Sequence, residues 1–217
     1  MKYETVCVIG LGYIGLPTAA MFASNGANVI GVDVSHKVVE TINNAQIHII
    51  EPGLSEIVAQ VTNENNLTAT QKPKPADAFV IAVPTPFKQI GNDIPEPDLT
   101  FIFDACSAIA PVLEIGNLVV LESTSPVGTT DRMCAWLSEL RPDLSFPDMN
   151  CTESDISVAY CPERVLPGKI IHELIHNDRI LGGISKSCAD SAIKLYSRFV
   201  TGKCYGTNAR TAEMVKL

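Results

Sequence analysis

The chain has 217 residues, of which 46% are hydrophobic, and a formal net charge of −8. This composition supports a sizeable buried core and argues against an intrinsically disordered chain. The negative charge argues against a nucleic-acid partner, which would need a basic face, and no apolar run approaches the roughly 18 residues of a membrane helix.

The first predicted unit is a strand, a glycine turn, a helix and a second strand. Thr5–Ile9 is a β-branched apolar run, and Gly10, Gly12 and Gly15 follow it with the spacing of a dinucleotide-binding turn. The first glycine permits a tight turn, the second lets a pyrophosphate approach the backbone, and the third allows close packing of helix on strand. The second strand ends at Asp33, whose carboxylate can accept hydrogen bonds from ribose hydroxyls. Because a carboxylate would repel a 2′-phosphate, the unit predicts binding of NAD.

Short apolar runs alternate with helical patterns along the rest of the chain, which is typical of a parallel sheet with crossover helices. The fold class that we predict is α/β, a Rossmann-type doubly wound, mostly parallel sheet with helices on both faces. The later strands are expected at 28–32, 78–83, 118–121, 156–160 and 180–181. Helices are expected from Pro17 to about Asn25, over 35–44, 53–63, 128–140 and 186–200, and after an N-cap at Asp98.

Two loops are predicted at the carboxyl ends of strands. Residues 85–97 are rich in Pro, Gly, Asn and Asp, and residues 123–128 follow the strand at 118–121. In doubly wound sheets this edge is where ligands bind.

The last residues, 211–217, have a helix-forming composition but carry no glycine, cap or polar tail. Isolated helices of this length are marginal in water. We therefore expect residues 1–207 to form the NAD-binding domain and residues 208–217 to begin a connecting helix that is truncated here. The alternative is a native terminus that docks on the domain.

The seven cysteines are scattered and lack any C-x-x-C spacing, so a disulfide scaffold and a zinc site are both poor interpretations. Reduced thiols in a cytoplasmic protein fit better. The four histidines have no ligand-like partners in sequence, and no metal is predicted. The opening residues MKYET run directly into a strand pattern, so no signal peptide is expected.

Four further segments carry a resemblance to a known family: AVPTP at 82–86, ESTSPVG at 122–128, YCPERVLPG at 160–168 and TAEMVKL at 211–217. In order and spacing they resemble the UDP-glucose/GDP-mannose dehydrogenase family over essentially the whole chain. The second and third segments look most like the branch that oxidises UDP-N-acetyl-D-mannosamine. The UDP-glucose branch commonly has a second glutamate where this chain has Pro167, which argues against oxidation of UDP-glucose.

The resemblance implies an NAD-dependent, four-electron oxidation of a UDP-sugar at C6, with two NAD per sugar. A cysteine captures the intermediate aldehyde, and a thiol is suited to this because it holds the aldehyde covalently between the two hydride steps. In the family that cysteine lies in a G-G-H-C-like segment downstream of the lysine that matches Lys216. No such segment occurs in this sequence, and none of its cysteines, Cys161 included, matches it. We therefore expect this chain to bind NAD but to be inactive alone.

The resemblance assigns three catalytic residues. Glu163 matches the general acid/base of the hydrolytic step, a role that partial burial could support by raising its pKa. Lys216 matches the lysine that stabilises the developing oxyanion, and it also contacts substrate. Thr124 matches a threonine near the reacting carbon and is counted with the cofactor contacts as well.

The remaining predicted contacts are with cofactor and substrate. Family members lay the backbone at Tyr13 and Ile14 against NAD, Thr85 resembles a threonine that contacts NAD, and Thr130 could reach the cofactor from the first turn of its helix. Arg164 and the backbone near Val165 look like substrate contacts, since a guanidinium suits a phosphate or carboxylate oxygen.

Two kinds of alternative function stay open, one within the enzyme class and one outside it. Within the enzyme class, the substrate could be UDP-glucose, UDP-N-acetylglucosamine or GDP-mannose. Outside it, the chain could be a non-catalytic nucleotide-sensing module, although a sensor has no need of the residues that match catalytic ones. We expect a UDP-sugar as partner, no nucleic acid and no membrane, and a homodimer for the full-length form.

Overall fold

The computed structural model describes residues 3–88, 95–148 and 153–216. Within these ranges eight strands form one sheet, in the spatial order β10-β9-β8-β7-β4-β1-β2-β3, and two short strands form a separate antiparallel ribbon. The strands are β1 (Thr5–Ile9), β2 (Asn28–Val32), β3 (Leu67–Thr70), β4 (Ala78–Ile81), β5 (Phe87–Lys88), β6 (Glu96–Pro97), β7 (Leu118–Leu121), β8 (Ser157–Tyr160), β9 (Arg179–Gly183) and β10 (Cys204–Asn208).

The large sheet is parallel except at one pairing. Strand β1 lies between β2 and β4, with Val6 opposite Val29 on one side and Ala78 on the other. Strand β9 runs antiparallel to β8 and parallel to β10. The reversal of strand order around β1 leaves a crevice at the carboxyl ends of β1 and β4, where doubly wound sheets bind ligands.

Helices cover both faces of the sheet. They are α1 (Gly15–Ser24), α2 (His36–Asn43), α3 (Leu54–Asn63), α4 (Thr100–Ile109), α5 (Thr129–Leu140), α6 (Ile170–His176), α7 (Lys186–Tyr196) and α8 (Ala209–Lys216). Successive side chains of β1 point to opposite faces of the sheet. Val6 and Val8 pack in one core, with α1, α3, α6 and α7. Cys7 and Ile9 pack in the core on the other face, with α4, α5 and α8. The predicted fold class is thus confirmed.

Several predicted elements differ in detail. The predicted strand at 78–83 ends at Ile81, and the predicted helix at 186–200 ends at Tyr196. Helix α4 begins at Thr100, but the Asp98 carboxylate does accept the Thr100 N–H, at 2.9 Å. Sequence patterns missed β3, β10 and α6, and the predicted loop at 85–97 contains the β5–β6 ribbon. Strand β10 was missed because it lies at the sheet edge and its side chains are largely exposed.

Helix α8 packs directly on β9. A Cβ atom added at Gly182 would lie 2.6 Å from the Cβ atom of Ala212, so only glycine lets the helix lie this close to the strand. Ala212 is fully buried, and it belongs to the same core cluster as the inner residues of α4 and α5. The residues of α8 are thereby brought to the edge of the sheet where β1, β4 and β7 end.

Among the described residues, no helix is both long and apolar enough to span a bilayer. The boundary predicted between residues 207 and 208 stays a prediction.

Candidate functional site

An open cleft of about 370 Å³ lies over the carboxyl ends of β1, β4 and β7. Residues from both ends of the described chain contribute to it. Its lining consists of Gly10, Gly12, Tyr13, Ile14, Asp33, Ala82, Val83, Pro84, Thr85, Glu122, Ser123, Thr124 and Lys216. The structure therefore brings most of the predicted site residues into one place.

The glycine turn forms the floor of this cleft. Gly10 has a φ of +91°, and a Cβ atom there would lie 2.7 Å from the carbonyl oxygen of Ala82. A Cβ atom at Gly15 would overlap the carbonyl oxygen of Gly10, whereas one at Gly12 would meet no atom within 4 Å. Two of the glycines are thus required for packing, and the third keeps open the space in which a diphosphate can approach the backbone.

Helix α1 begins at this turn, with Gly15 as its first residue and Ile14 as its N-cap. No side chain of the described residues caps it, and its first turn contains no acidic residue. The N–H groups at a helix N-terminus and their partial positive charge favour an anion. The turn and the helix together fit the diphosphate of a dinucleotide.

Asp33 is held in place by two backbone groups. Its Oδ2 atom accepts the N–H of Leu11 at 3.1 Å, and its Oδ1 atom accepts the N–H of Ser35 at 2.9 Å. A carboxylate has about four acceptor positions, so it can still accept hydrogen bonds from the two hydroxyls of a ribose. This arrangement is the one expected of a ribose ligand.

The loops that follow β4 and β7 are tied together across the cleft. The Thr85 hydroxyl donates to the carbonyl oxygen of Thr124 at 2.5 Å, and the Ser123 hydroxyl donates to that of Val83 at 2.7 Å. The side chain of Tyr160 donates to the Ser123 carbonyl oxygen at 3.2 Å. Thr85 and Thr124 were predicted separately, and the structure shows that they are hydrogen-bonded neighbours.

Lys216 reaches the same loop from α8. Its Nζ atom donates to the backbone carbonyl oxygen of Glu122 at 2.8 Å. Burial lowers the pKa of Lys216, while the nearby Glu122 and Cys161 act in the opposite direction. The cleft thus holds a half-buried cation, and Thr124 lines the same cleft.

Glu122 is an ionisable residue of this cleft to which sequence reasoning gave no role. Its side chain is fully buried, and it accepts hydrogen bonds from the hydroxyls of Tyr196 at 2.5 Å and Thr18 at 3.2 Å. Burial raises the pKa of Glu122, and the charges of Arg179 and Lys216 partly oppose this effect. The available signal was an ionisable residue placed directly after the wholly apolar strand β7.

Glu163 is buried beside a partner that sequence reasoning did not name. Its carboxylate forms an ion pair with Arg179, and both side chains are less than 5% exposed. The same guanidinium donates to the Leu174 carbonyl oxygen at 2.9 Å and to the Cys161 sulfur at 3.6 Å. Glu163 is not among the residues that line the cleft, so its role as acid/base stays a prediction.

Possible metal ligands also meet here, since ligand atoms of Glu122, Cys161 and Glu163 lie within 4.8 Å of one another. The cation that occupies this place is the Arg179 guanidinium, which is in contact with both Glu163 and Cys161. The donor set therefore fits an arginine-centred ion pair better than a bound metal.

The loop that carries Arg164 and Val165 lies outside the cleft. Arg164 is exposed and Val165 is half-buried. The loop is held at its far end by Glu51, whose carboxylate accepts the N–H groups of Gly168 and Ile170, each at 2.8 Å. Glu51 lies 117 and 119 positions from these partners, and no sequence pattern pointed to it.

Thr130 is fully buried and does not line the cleft. Its hydroxyl donates to Glu213 at 2.6 Å. Its contact with the cofactor stays a prediction, since in this structure the hydroxyl already has a partner within the protein.

The described cysteines are free and mostly buried. Burial raises the pKa of Cys7, Cys106, Cys134 and Cys161 to about 12. A neutral thiol is a poor nucleophile, so these four cysteines are poorly suited to covalent catalysis, and the absence of the family thiol from this chain stays a prediction. Cys151 lies outside the described residues.

The fold and the cleft define a Rossmann-type dinucleotide-binding domain. Residues 4–200 match the model of the UDP-glucose/GDP-mannose dehydrogenase family, NAD binding domain. The chain belongs to this family, and its cofactor is NAD.

Individual relatives agree with this membership. A UDP-N-acetyl-D-mannosamine dehydrogenase from Campylobacter jejuni is 59% identical over 216 residues, which cover 100% of this chain and 52% of the relative. An NDP-N-acetyl-D-galactosaminuronic acid dehydrogenase from Ralstonia nicotianae is 56% identical over 217 residues, covering 100% of this chain and 50% of the relative. The solved structure of a UDP-D-ManNAc dehydrogenase from Pyrococcus horikoshii superposes with a TM-score of 0.88 at 43% identity, over 98% of this chain and 49% of that one.

The chain thus spans about half the length of the curated relatives it matches. The two relatives act on different sugars by name yet are almost equally similar to this chain. Identity over this half therefore does not select the sugar.

Proposed function

We propose that this chain is the NAD-binding part of an NAD-dependent nucleotide-sugar 6-dehydrogenase. The observation that supports this most directly is that Lys216 and Thr124 lie in the same cleft as the glycine turn and Asp33. A domain that only bound NAD would need the turn and the aspartate, but not a half-buried lysine and a threonine in the same cleft. The same observation argues against a nucleotide sensor.

The proposed reaction is the four-electron oxidation of UDP-N-acetyl-D-mannosamine to UDP-N-acetyl-D-mannosaminuronate. Bound in this cleft, NAD would supply the oxidant for two hydride transfers from the sugar C6, and water would supply the second oxygen of the carboxylate. This chain holds the cofactor through the glycine turn and Asp33. The Lys216 ammonium offsets negative charge that develops on the substrate oxygen, and the Thr124 hydroxyl orients that oxygen or a water molecule. The choice of this sugar rests on the segments at 122–128 and 160–168, which resemble the branch that oxidises it, and not on overall identity to named relatives.

We further propose that this chain alone does not complete the reaction. Among the described cysteines, the buried ones with a pKa of about 12 are unsuited to capture an aldehyde. The thiol would come from a part of the whole protein outside this sequence. For the whole protein we propose a cytoplasmic homodimer.

The test is an assay of NADH formation by the whole protein with four sugars: UDP-N-acetyl-D-mannosamine, UDP-glucose, UDP-N-acetylglucosamine and GDP-mannose. We expect two NADH per molecule of the first sugar and no steady turnover by the present chain. A preference for another sugar would correct the substrate. Binding of NAD without oxidation of any nucleotide sugar by the whole protein would support the sensing module instead.

A further inference from the structure

Glu213 is a fully buried carboxylate whose hydrogen-bond partners lie 83 and 85 positions away in sequence. Its Oε2 atom accepts the N–H of Gly128 at 2.6 Å. Its Oε1 atom accepts the N–H of Thr130 at 2.7 Å and the hydroxyl of the same residue at 2.6 Å. Three short hydrogen bonds thus join α8 to the start of α5.

Helix α5 needs such a partner. The first N–H groups of a helix have no acceptor within the helix, and the N-cap of α5 is Gly128, which has no side chain to supply one. Glu213 fills this place from α8. A carboxylate at a helix N-terminus is also stabilised by the helix dipole, which helps to explain how a charged group is tolerated in full burial.

The same helix carries Lys216, one turn further on, and Lys216 donates to the carbonyl oxygen of Glu122. Residues 122–130 comprise the loop that follows β7 together with the first two residues of α5. Glu122 begins this loop, and Gly128 and Thr130 lie at its end. Helix α8 therefore binds this loop at both ends, through Lys216 at the start and Glu213 at the finish. Thr124 lies between the two attachments and lines the cleft.

We propose that Glu213 is a positioning residue that clamps the loop 122–130 to α8 and so sets the distance between Lys216 and Thr124. The inference rests on the proposed function for the roles of those two residues. Glu213 itself is not among the residues that line the cleft. Its contribution is to fix how α8 is rotated about its own axis and how closely α8 packs against the start of α5.

The chemistry of the clamp makes the isosteric substitution informative. Both carboxylate oxygens of Glu213 accept hydrogen bonds from backbone N–H groups. In glutamine one of these oxygens is replaced by an NH₂ group, which is itself a donor and would face a backbone N–H that also donates. E213Q should consequently open the clamp although it keeps the size of the side chain.

The matched control is the Asp131–Arg210 ion pair. It joins the same two helices on the surface, with Nε 2.7 Å from Oδ2, and exposed pairs of this kind contribute little. D131N therefore removes a link between α5 and α8 without touching the buried one.

The experiment measures the pKa of the Lys216 ammonium in this chain by NMR of labelled lysine, with the K216R variant to identify the signal. The groups that face Lys216 are Glu122 and Cys161. In the parent chain and in D131N we expect a pKa below the ordinary lysine value. In E213Q the ammonium should become exposed and its pKa should rise to that value. An unchanged pKa in E213Q would overturn the proposal.

Amide hydrogen exchange of the parent chain provides a second test that needs no variant. Gly128 and Thr130 N–H groups lie at a helix start, where amides ordinarily exchange fast. If the clamp exists, both are protected and exchange together with the amides of α8. Fast exchange of either amide would contradict the proposal, even if E213Q does not fold.

In the whole protein, kcat for E213Q should fall about tenfold or more, while KM for NAD changes less than threefold and D131N stays like the parent. An unchanged kcat would overturn the positioning role. If the whole protein oxidises no nucleotide sugar, the proposed function fails, and the lysine pKa and amide exchange still decide on the clamp.

Discussion

Two regions of this molecule build their parts of the cleft in opposite ways. The glycine turn and Asp33 form a contiguous unit within the first 33 residues, and its geometry depends on backbone conformation and on the absence of side chains. The loops that follow β7 and β8 depend instead on buried carboxylates from distant parts of the chain, Glu213 for one and Glu51 for the other.

The difference concerns what a substitution can damage. At Gly12 of the glycine turn, a substitution can block the ligand and leave the core intact, because no protein atom lies within 4 Å of the added Cβ atom. In the two loops, the groups that hold the site are buried charges whose partners lie in other elements, so their loss affects the stability of the whole domain.

The largest effect is expected from the buried ion pair of Glu163 and Arg179. R179L leaves the Glu163 carboxylate buried without its cation, and breaking such a pair typically costs about 3–5 kcal/mol. We expect the free energy of unfolding, measured in urea, to fall by that amount. R179L/E163Q should recover much of it, because the unpaired charge is removed.

The control for this pair is K186A, which breaks the exposed pair of Lys186 with Asp190 and should change stability by less than about 0.5 kcal/mol. In R179L the pKa of Glu163 in the folded state should rise above its unfolded value. The loss of stability relative to the parent should therefore be smallest at acid pH and grow as pH rises. A loss independent of pH would show that Arg179 acts through packing instead.

The second prediction separates binding from stability within the glycine turn. G12A adds a methyl group where no protein atom lies within 4 Å, so the domain should stay as stable as the parent. The methyl group occupies the space open to the diphosphate, and affinity for NAD should fall by at least tenfold, about 1.4 kcal/mol. Calorimetric titration with NAD measures the affinity, and urea unfolding of the same sample measures the free energy of unfolding.

G15A is the contrasting variant, because its methyl group would overlap the Gly10 carbonyl oxygen. It should lose stability and binding together. If G12A and G15A behaved alike, the distinct roles assigned to these glycines would be wrong.

The same contrast explains which features of the structure could be predicted from the sequence. The strand, turn, helix and Asp33 were predictable because each property depends on neighbouring residues: apolar β-branched runs, glycines at fixed spacing and an acid at the strand end. The alternation of apolar runs and helical patterns was likewise enough to predict a doubly wound sheet, and the structure confirms it.

Long-range partners were not predictable in this way. Glu51 and Glu213 resemble ordinary surface glutamates in sequence, and only the fold shows that they cap segments 117 and 85 positions away. Arg179 begins a strand whose antiparallel direction has no local signal. Strand β10 was missed because exposed edge residues do not follow the apolar pattern of the inner strands.

The third prediction tests the ribose site by D33N. Asparagine retains one oxygen for the Leu11 N–H but loses the charge and an acceptor for ribose hydroxyls. Affinity for NAD should fall by about tenfold, or about 1.4 kcal/mol, and the preference for NAD over NADP should narrow because the repulsion of a 2′-phosphate is removed. Calorimetry with both nucleotides measures this, and D104N, on the exposed side of α4, is the control. Unchanged affinities for both nucleotides would show that the ribose binds elsewhere.

The smallest effect at neutral pH concerns the buried thiol of Cys106 on α4, because its titration affects stability only at alkaline pH. Burial raises the pKa of Cys106 from 9.0 to about 12, so between these values the folded state holds a proton that the unfolded state releases. Stability linked to this thiol is complete below pH 9 and is lost as pH rises through the window, at a slope of up to about 1.4 kcal/mol per pH unit. C106A removes the contribution of this thiol to the slope of the unfolding free energy against pH. Any loss of packing in C106A lowers stability at every pH and leaves the slope unchanged. Parallel slopes for C106A and the parent between pH 9 and 11 would mean that the Cys106 thiol titrates alike in the folded and unfolded states, contrary to its burial in the structure.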